Sequence, residues 1–230
     1  MSKIIAIIPA RGGSKRIPRK NIKEFCGKPI IAYSIEAAKK AGCFDEIMVS
    51  TDDTEIAEIS KKYGAAVPFF RSEENSNDHA GLSEVVVEVL NEYKGRNISF
   101  EYFCLILPTA PFLEGEILLK GFKDLKEKKY SSIFPVVRFS FPIQRALKIK
   151  KNRVLMFWPD QYNKRSQDLE PAYHDAGQFY FARTDSFLNY KKLYTDNSGY
   201  IVLSETGAQD IDSMEDWILA EAKYKLNAKK

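Results

Sequence analysis

The chain has 230 residues, 44% hydrophobic and 29% charged, with a net charge of +4. That fits one domain of ordinary size with a small appendage, and no apolar stretch approaches the ~20 residues of a membrane span. The opening Met1-Ser2-Lys3 lacks the pattern of a secretory leader. The cysteines Cys26, Cys43 and Cys104 are odd in number and lack metal spacing, so they are expected to be reduced, buried and cytoplasmic.

In chain order, Ile4 to Ile8 is an unbroken apolar run, the mark of a strand buried on both faces in a parallel sheet. A helix is predicted over Ile30 to Ala41, with Gly42 as its C-cap. Ile47 to Ser50 reads as a second buried strand, followed by Thr51-Asp52-Asp53. A helix from Thr54 to Tyr63 ends at Gly64, and a short strand is expected over Ala66 to Phe70. Leu82 to Tyr93 has helical apolar spacing, and Phe103 to Leu107 reads as the central strand, closed by Pro108-Thr109-Ala110-Pro111. The pattern then shifts. Ser132 to Phe139 is a strand, and Ala146 to Lys150 with Arg153 to Phe157 form a hairpin around Lys151-Asn152. Trp158 to Pro171 is irregular, and strands return at Gly177 to Arg183 and Tyr200 to Ser204. Ser213 to Asp216 resembles a capping box before a last helix with Met214, Trp217, Ile218 and Ala222 on its apolar stripe. The alternation of strands and helices argues for an α/β, Rossmann-like fold with a mostly parallel sheet covered on both faces. Residues 140–176 read as an insertion in a single domain of residues 1–230.

The loop after the first strand is Pro9-Ala10-Arg11-Gly12-Gly13-Ser14-Lys15-Arg16-Ile17-Pro18-Arg19-Lys20-Asn21. Gly12 and Gly13 allow a sharp bend and close approach to a ligand. Arg11, Lys15, Arg16, Arg19 and Lys20 surround that approach with positive charge, which suits a polyphosphate at the carboxyl end of a sheet strand. Neither a Walker loop nor the G-x-G-x-x-G dinucleotide fingerprint is present, which counts against a nicotinamide dehydrogenase. Because the basic excess is local, a small anionic ligand explains it better than nucleic acid, and no membrane partner is expected.

Asp210 and Asp212 are two apart, so in extended backbone they share one side. Helix capping is one reading, but Ser213 already fills that role. A pair of hard oxygen ligands suits Mg²⁺.

The loop resembles the N-terminal signature of the CMP-sugar synthetases, the cytidylyltransferases that activate sialic-acid-like sugars. Its form is roughly I-P-A-R-x-G-S-K-x-x-P-x-K-N, and Arg11, Ser14, Lys15, Pro18, Lys20 and Asn21 fall on its positions. The resemblance runs nearly end to end and is most similar to the branch acting on pseudaminic acid. It implies CTP and a nine-carbon keto-sugar acid as substrates, a catalytic Mg²⁺ on Asp210 and Asp212, and a homodimer through the insertion. It further implies nucleotide binding by Arg11, Gly12, Ser14, Lys15, Asn21, Arg71, Asp78 and Ala80, and catalysis by Lys20, Arg11 and Asp212.

The block from Arg71 to Ala80 resembles the family's R-P-x-x-L-x-x-D, with Ser72 and Asn75 in place of Pro and Leu. Pro108 to Pro111 matches its Q-P-T-S-P loop except for Leu107 and Ala110. An apolar Leu107, where sialic acid enzymes carry Gln, changes what the pocket recognises and argues for a different nonulosonic acid. Pseudaminic acid, deoxygenated at C9, fits; Leu107 could equally just end a buried strand. Sugar contacts are expected from Leu107, Thr109, Arg165, Gln167, His174 and Gln178. His174 is either a general base or one half of a structural pair with Asp175. Legionaminate, neuraminate and 3-deoxy-manno-octulosonate enzymes are the alternatives within the class. A non-catalytic nucleotide- or sugar-binding module is the rival outside it.

Overall fold

The computed structural model describes residues 3–77 and 80–227. β1 (Ile4–Pro9) is buried along its whole length. A loop and a two-residue ribbon, β2 (Glu24–Phe25) with β3 (Lys28–Pro29), lead into α1 (Ile30–Ala41). Then follow β4 (Glu46–Ser50), α2 (Thr54–Tyr63), the single turn α3 (Glu73–Ser76), α4 (Leu82–Gly95), β5 (Tyr102–Ile106), α5 (Gly115–Glu127) and β6 (Ser132–Arg138). The hairpin β7 (Leu147–Lys150) and β8 (Arg153–Met156) forms a separate small sheet. β9 (Tyr173–Asp175), β10 (Phe179–Arg183), α6 (Thr184–Tyr190), β11 (Ser198–Leu203) and α7 (Met214–Asn227) complete the chain.

The main sheet has the order β11-β6-β10-β5-β1-β4, with β9 also paired to β6. β4, β1, β5, β6 and β11 run one way, and β10 and β9 run against them. The fold is therefore the expected α/β, Rossmann-like one. Alternation along β1 shows why its run is unbroken. Ile4, Ala6 and Ile8 pack in one core with Ile31 and Ile35 of α1 and Leu118 of α5. Ile5 and Ile7 pack in the other with Val86 and Val89 of α4 and Phe187 of α6. Both faces are covered, so a polar residue on either would be buried without a partner.

Local signals set most boundaries. Gly42 ends α1 with φ 63, a conformation that glycine adopts without a Cβ penalty. Asp53 caps α2 by accepting from the Ile56 N–H at 3.0 Å. In the hairpin, Lys151 and Asn152 have φ 50 and 58, the left-handed pair of a type I′ turn.

Several elements differ from expectation. α3, β9 and α6 are additional, and of the stripe Met214, Trp217, Ile218 and Ala222 only Trp217 is buried, because α7 packs through Trp217 and Ala220 and leaves the other three exposed. Ala66–Phe70 is reduced to one bridge, Met48 to Ala66, because Pro68 cannot donate to a ladder and the chain turns away after it. α5 is an additional helix. Its Gly121 lies where a Cβ would stand 3.3 Å from Ile201 and Phe179, so a glycine that weakens the helical signal also permits close packing.

Candidate active site

β1, β4 and β5 are parallel and end at one edge of the sheet, at Pro9, Ser50 and Ile106. The loops leaving that edge enclose a cleft of about 440 Å³, as expected at the carboxyl ends of parallel strands. Arg11, Ser14, Lys15, Lys20 and Asn21 line it from the first loop. Arg71 and Ala80 line a second wall, Leu107 and Thr109 the floor, and Asp210 and Asp212 the far side. Five separate stretches of sequence thus meet in one place. Gly12 stands at the loop's start, where its N–H donates to Asp52 Oδ1 at 2.8 Å. Asp78 lies outside the described residues.

The loop is tied down at many points. Asn21 is buried, and its side-chain amide donates to the Arg11 carbonyl at 2.9 Å. Arg11 Nη1 donates to the Asn77 carbonyl at 2.8 Å, joining the loop to the end of α3. Lys20 Nζ donates to the Ile211 carbonyl at 2.7 Å and stands 3.7 Å from Asp212 Oδ1. Arg16 pairs with the same carboxylate at 2.8 Å.

Ile211 is buried at 1% exposure in a core with Phe25, Tyr33 and Trp217. With that side chain inward, Asp210 and Asp212 both face the cleft, as alternation in extended backbone requires. Ser213 and Asp216 form the reciprocal cap of α7: Ser213 N–H donates to Asp216 Oδ2 at 2.8 Å, and Asp216 N–H donates to Ser213 Oγ at 3.2 Å. The Ser213 hydroxyl and backbone hold the Asp216 carboxyl below its usual range. Capping therefore falls to Ser213 and Asp216, and the carboxylates of Asp210 and Asp212 line the cleft, the latter paired with Arg16.

Arg71 is 8% exposed, and its guanidinium donates to the Ser50 hydroxyl at 2.9 Å and to the Ser50 carbonyl. Burial lowers its pKa to about 10, partly offset by Asp52 and Glu88, so it is still charged at neutral pH. Ser72 and Asn75 converge on Glu88: the Ser72 N–H donates to Oε1 at 2.7 Å, and the Asn75 amide donates to Oε2.

The residues expected at the sugar divide. Leu107 and Thr109 line the cleft. His174 lines a neighbouring cavity of about 370 Å³ with Arg138 and Asp175, and Asp210 is common to both spaces. The His174 Nδ1 lies 2.9 Å from the Asp175 carbonyl, which can only accept, so Nδ1 is the donor there; in the neutral ring that tautomer has Nε2 as its acceptor. Asp175 is fixed by the Gly177 N–H at 2.8 Å and the Tyr180 hydroxyl at 2.5 Å. Burial raises the pKa of Tyr180, which keeps it a donor. Gln178 is 3% exposed, and its amide donates to the Gly207 carbonyl at 2.7 Å, a brace within the chain. Arg165 pairs with Asp168 at 2.8 Å and Gln167 lines a third cavity, both on the insertion and away from the cleft lining.

Asp52 and Asp53 carry contacts with the first loop that no motif in the sequence assigned. The one available signal was the acidic pair at the end of β4, opposite a loop rich in cations.

A cytidylyltransferase family model matches residues 5–210. The chain belongs to the cytidylyltransferase family and is accordingly a nucleotidyltransferase. It is 43% identical over 226 residues to the pseudaminic acid cytidylyltransferase of Campylobacter jejuni subsp. jejuni serotype O:23/36 (strain 81-176), spanning 98% of this chain and 97% of that one. It is 32% identical over 232 residues to the CMP-N,N'-diacetyllegionaminic acid synthase of Legionella pneumophila, spanning 98% and 97% respectively. Its fold superposes with a TM-score of 0.72 on a CMP:2-keto-3-deoxy-manno-octonic acid synthetase complexed with CTP, over 100% of both chains at 18% identity. No helix among the described residues is long and apolar enough to cross a membrane.

Proposed function

We propose that this chain transfers CMP from CTP to the 2-hydroxyl of pseudaminic acid, a nine-carbon keto-sugar acid, with release of pyrophosphate. The single observation that carries the reading is the meeting of a cationic loop and a same-side carboxylate pair in one cleft. The identity of the acceptor is supported by the 43% identical relative and by the apolar Leu107 on the cleft floor.

In this reading Arg11, Ser14 and Lys15 hold the triphosphate, and Arg71 and Ala80 lie at the nucleoside end. The acceptor occupies the neighbouring space with His174 on its wall. Asp210 lies where the two spaces meet, and Leu107 and Thr109 shape the floor of the cleft. Its hydroxyl oxygen bonds to the α-phosphorus while the bond from that phosphorus to the departing pyrophosphate oxygen breaks. Lys20 follows the charge that builds on the phosphoryl oxygens, and catalysis is positioning and electrostatics without a covalent enzyme intermediate. His174 Nε2 is an acceptor suited to the hydroxyl proton.

Asp210 and Asp212 fit a Mg²⁺ shared with the substrate. Among the described residues no group of three or more His, Cys, Asp or Glu side chains is placed to hold a metal alone. Mg²⁺, however, commonly takes one or two carboxylates and completes its shell with phosphate and water. When bound, it would neutralise charge on the transferring phosphoryl group.

Residues 140–176 form a homodimer arm in this reading, because Phe141, Ile149 and Val154 are 82%, 81% and 63% exposed. Three free cysteines support the cytoplasm as its compartment. The legionaminate reading is the runner-up, favoured by the 32% identical relative.

The test is pyrophosphate release from CTP and Mg²⁺ with pseudaminic, legionaminic or N-acetylneuraminic acid in parallel. Release with pseudaminic acid alone supports the reading. Release with another acid alone keeps the cytidylyl transfer and discards the acceptor. A folded protein that binds CTP and releases nothing with any acid would be a binding module.

A further inference from the structure

We propose that Arg19 and Asp53 position the phosphate loop by anchoring its far end to the start of α2, which makes Arg19 a positioning residue and not a ligand of the triphosphate. The proposal rests on the reading that this loop carries the phosphates. Of the five cations in the loop, Arg11, Lys15, Arg16 and Lys20 line the cleft, whereas Arg19 reaches the β4–α2 turn. Its guanidinium grips Asp53 with two hydrogen bonds, Nη1 to Oδ2 at 2.5 Å and Nη2 to Oδ1 at 3.0 Å. Nη2 also donates to Glu55 Oε2 at 2.5 Å. A planar fork on a carboxylate fixes orientation as well as distance.

The backbone supports the same assignment. Arg19 has φ 56 and ψ 30, a left-handed conformation that a residue with a side chain keeps only where its surroundings impose it. Arg19 and Lys20 then lead to opposite anchors, Arg19 to α2 and Lys20 to the Ile211 carbonyl at 2.7 Å. The anchor itself is rigid, because Asp53 Oδ1 also accepts the capping bond from Ile56 N–H at 3.0 Å. Bonding to Arg19 holds the Asp53 carboxyl below its usual range, so it is ionised at neutral pH.

The near end of the loop rests on the same turn. Gly12 N–H donates to Asp52 Oδ1 at 2.8 Å, and a Cβ at Gly12 would stand 2.7 Å from Asp53 Oδ2. Both ends of the loop are therefore referred to one fixed point on the sheet. A displacement of ~1 Å at a catalytic group costs about 100-fold in rate, so an anchor that orders the loop before substrate arrives has a kinetic consequence.

Two variants separate anchoring from a mere need for a left-handed residue. Asp53→Asn keeps the helix cap, since Asn caps as well as Asp, but removes the ion pair. Arg19→Gly relieves the backbone and removes the fork. Each is expected to lower kcat about 30- to 100-fold, with a smaller change in CTP affinity. Each should also speed amide hydrogen exchange at residues 11–20 in the full chain without substrate, while β1 and β5 keep the parental rate. The double variant should be no slower than the slower single one.

Parental turnover in Arg19→Gly overturns the proposal, as do unchanged loop exchange or losses that multiply in the double variant. If Asp53→Asn raises exchange in β1 and β5 as well, it has lost the fold, and Arg19→Gly alone decides. If the parent acts on a different acid, the acceptor assignment fails and this proposal stands, because exchange and CTP affinity need no acceptor.

Discussion

The cationic loop after β1 and the 140–176 segment are both long excursions from one sheet, and they are held in opposite ways. The loop buries Ile17 at 1% and Asn21 at 6% exposure and is tied to β4–α2, to Asn77 and to Ile211. The outer segment folds as a hairpin whose paired Ile149 and Val154 stay exposed. In the loop, polar contacts within the chain fix where each cation ends. In the hairpin, alternation puts Leu147, Ile149, Val154 and Met156 on one face and Lys148, Lys150, Arg153 and Leu155 on the other, and no other segment among the described residues buries Ile149 or Val154 on the apolar face. A two-stranded hairpin is at best marginal alone. The loop is finished by its own chain, and the hairpin's apolar side calls for a second surface.

Four outcomes test that contrast, the largest first. Asp212→Ala should abolish Mg²⁺-dependent pyrophosphate release while circular dichroism stays parental; full activity would remove Asp212 from the metal site. Lys20→Ala should lower kcat by about 100- to 1,000-fold with a much smaller change in the KM for CTP. Equal losses in both would give Lys20 a binding role only. Ile149→Asp should convert a dimer to a monomer in sedimentation while leaving CTP affinity within about twofold, since the hairpin lies outside the cleft lining. A parent that is already monomeric at micromolar concentration would end the arm reading.

The smallest effect is acid sensitivity. Asp53 has a folded pKa below its unfolded value, mainly through Arg19, so its stabilisation is complete above about pH 4 and fades as pH falls through the folded value. The melting temperature gap between parent and Asp53→Asn should hold from pH 7 to 5 and shrink below about pH 4. With Arg19 side chain 40% exposed, the pair contributes about 1 kcal/mol at most. A gap that grows in acid would contradict this sign.

Much of the fold was legible because its signals are local. The apolar run of β1, the glycine after α1 and the Lys151-Asn152 turn each act within a few residues. α5 was hidden because Gly121 serves a contact with Ile201, eighty residues away in sequence. Asp210 and Asp212 were legible as a same-side pair because alternation is a property of extended backbone. Gln178 was not, since nothing near it in sequence reveals that its amide is used by the Gly207 carbonyl.

The sequence by itself determined the α/β class, the cationic loop after a doubly buried strand, the aspartate pair and the hairpin, because periodicity and turn chemistry act over a handful of residues. Only the tertiary structure decided that β10 inserts antiparallel between β5 and β6, and that Arg19 leaves the cleft for Asp53. It also decided that His174 belongs to a space joined to the cleft through Asp210. Strand neighbours and side-chain partners are chosen by contacts between residues distant in sequence, and such choices leave no local periodicity to read.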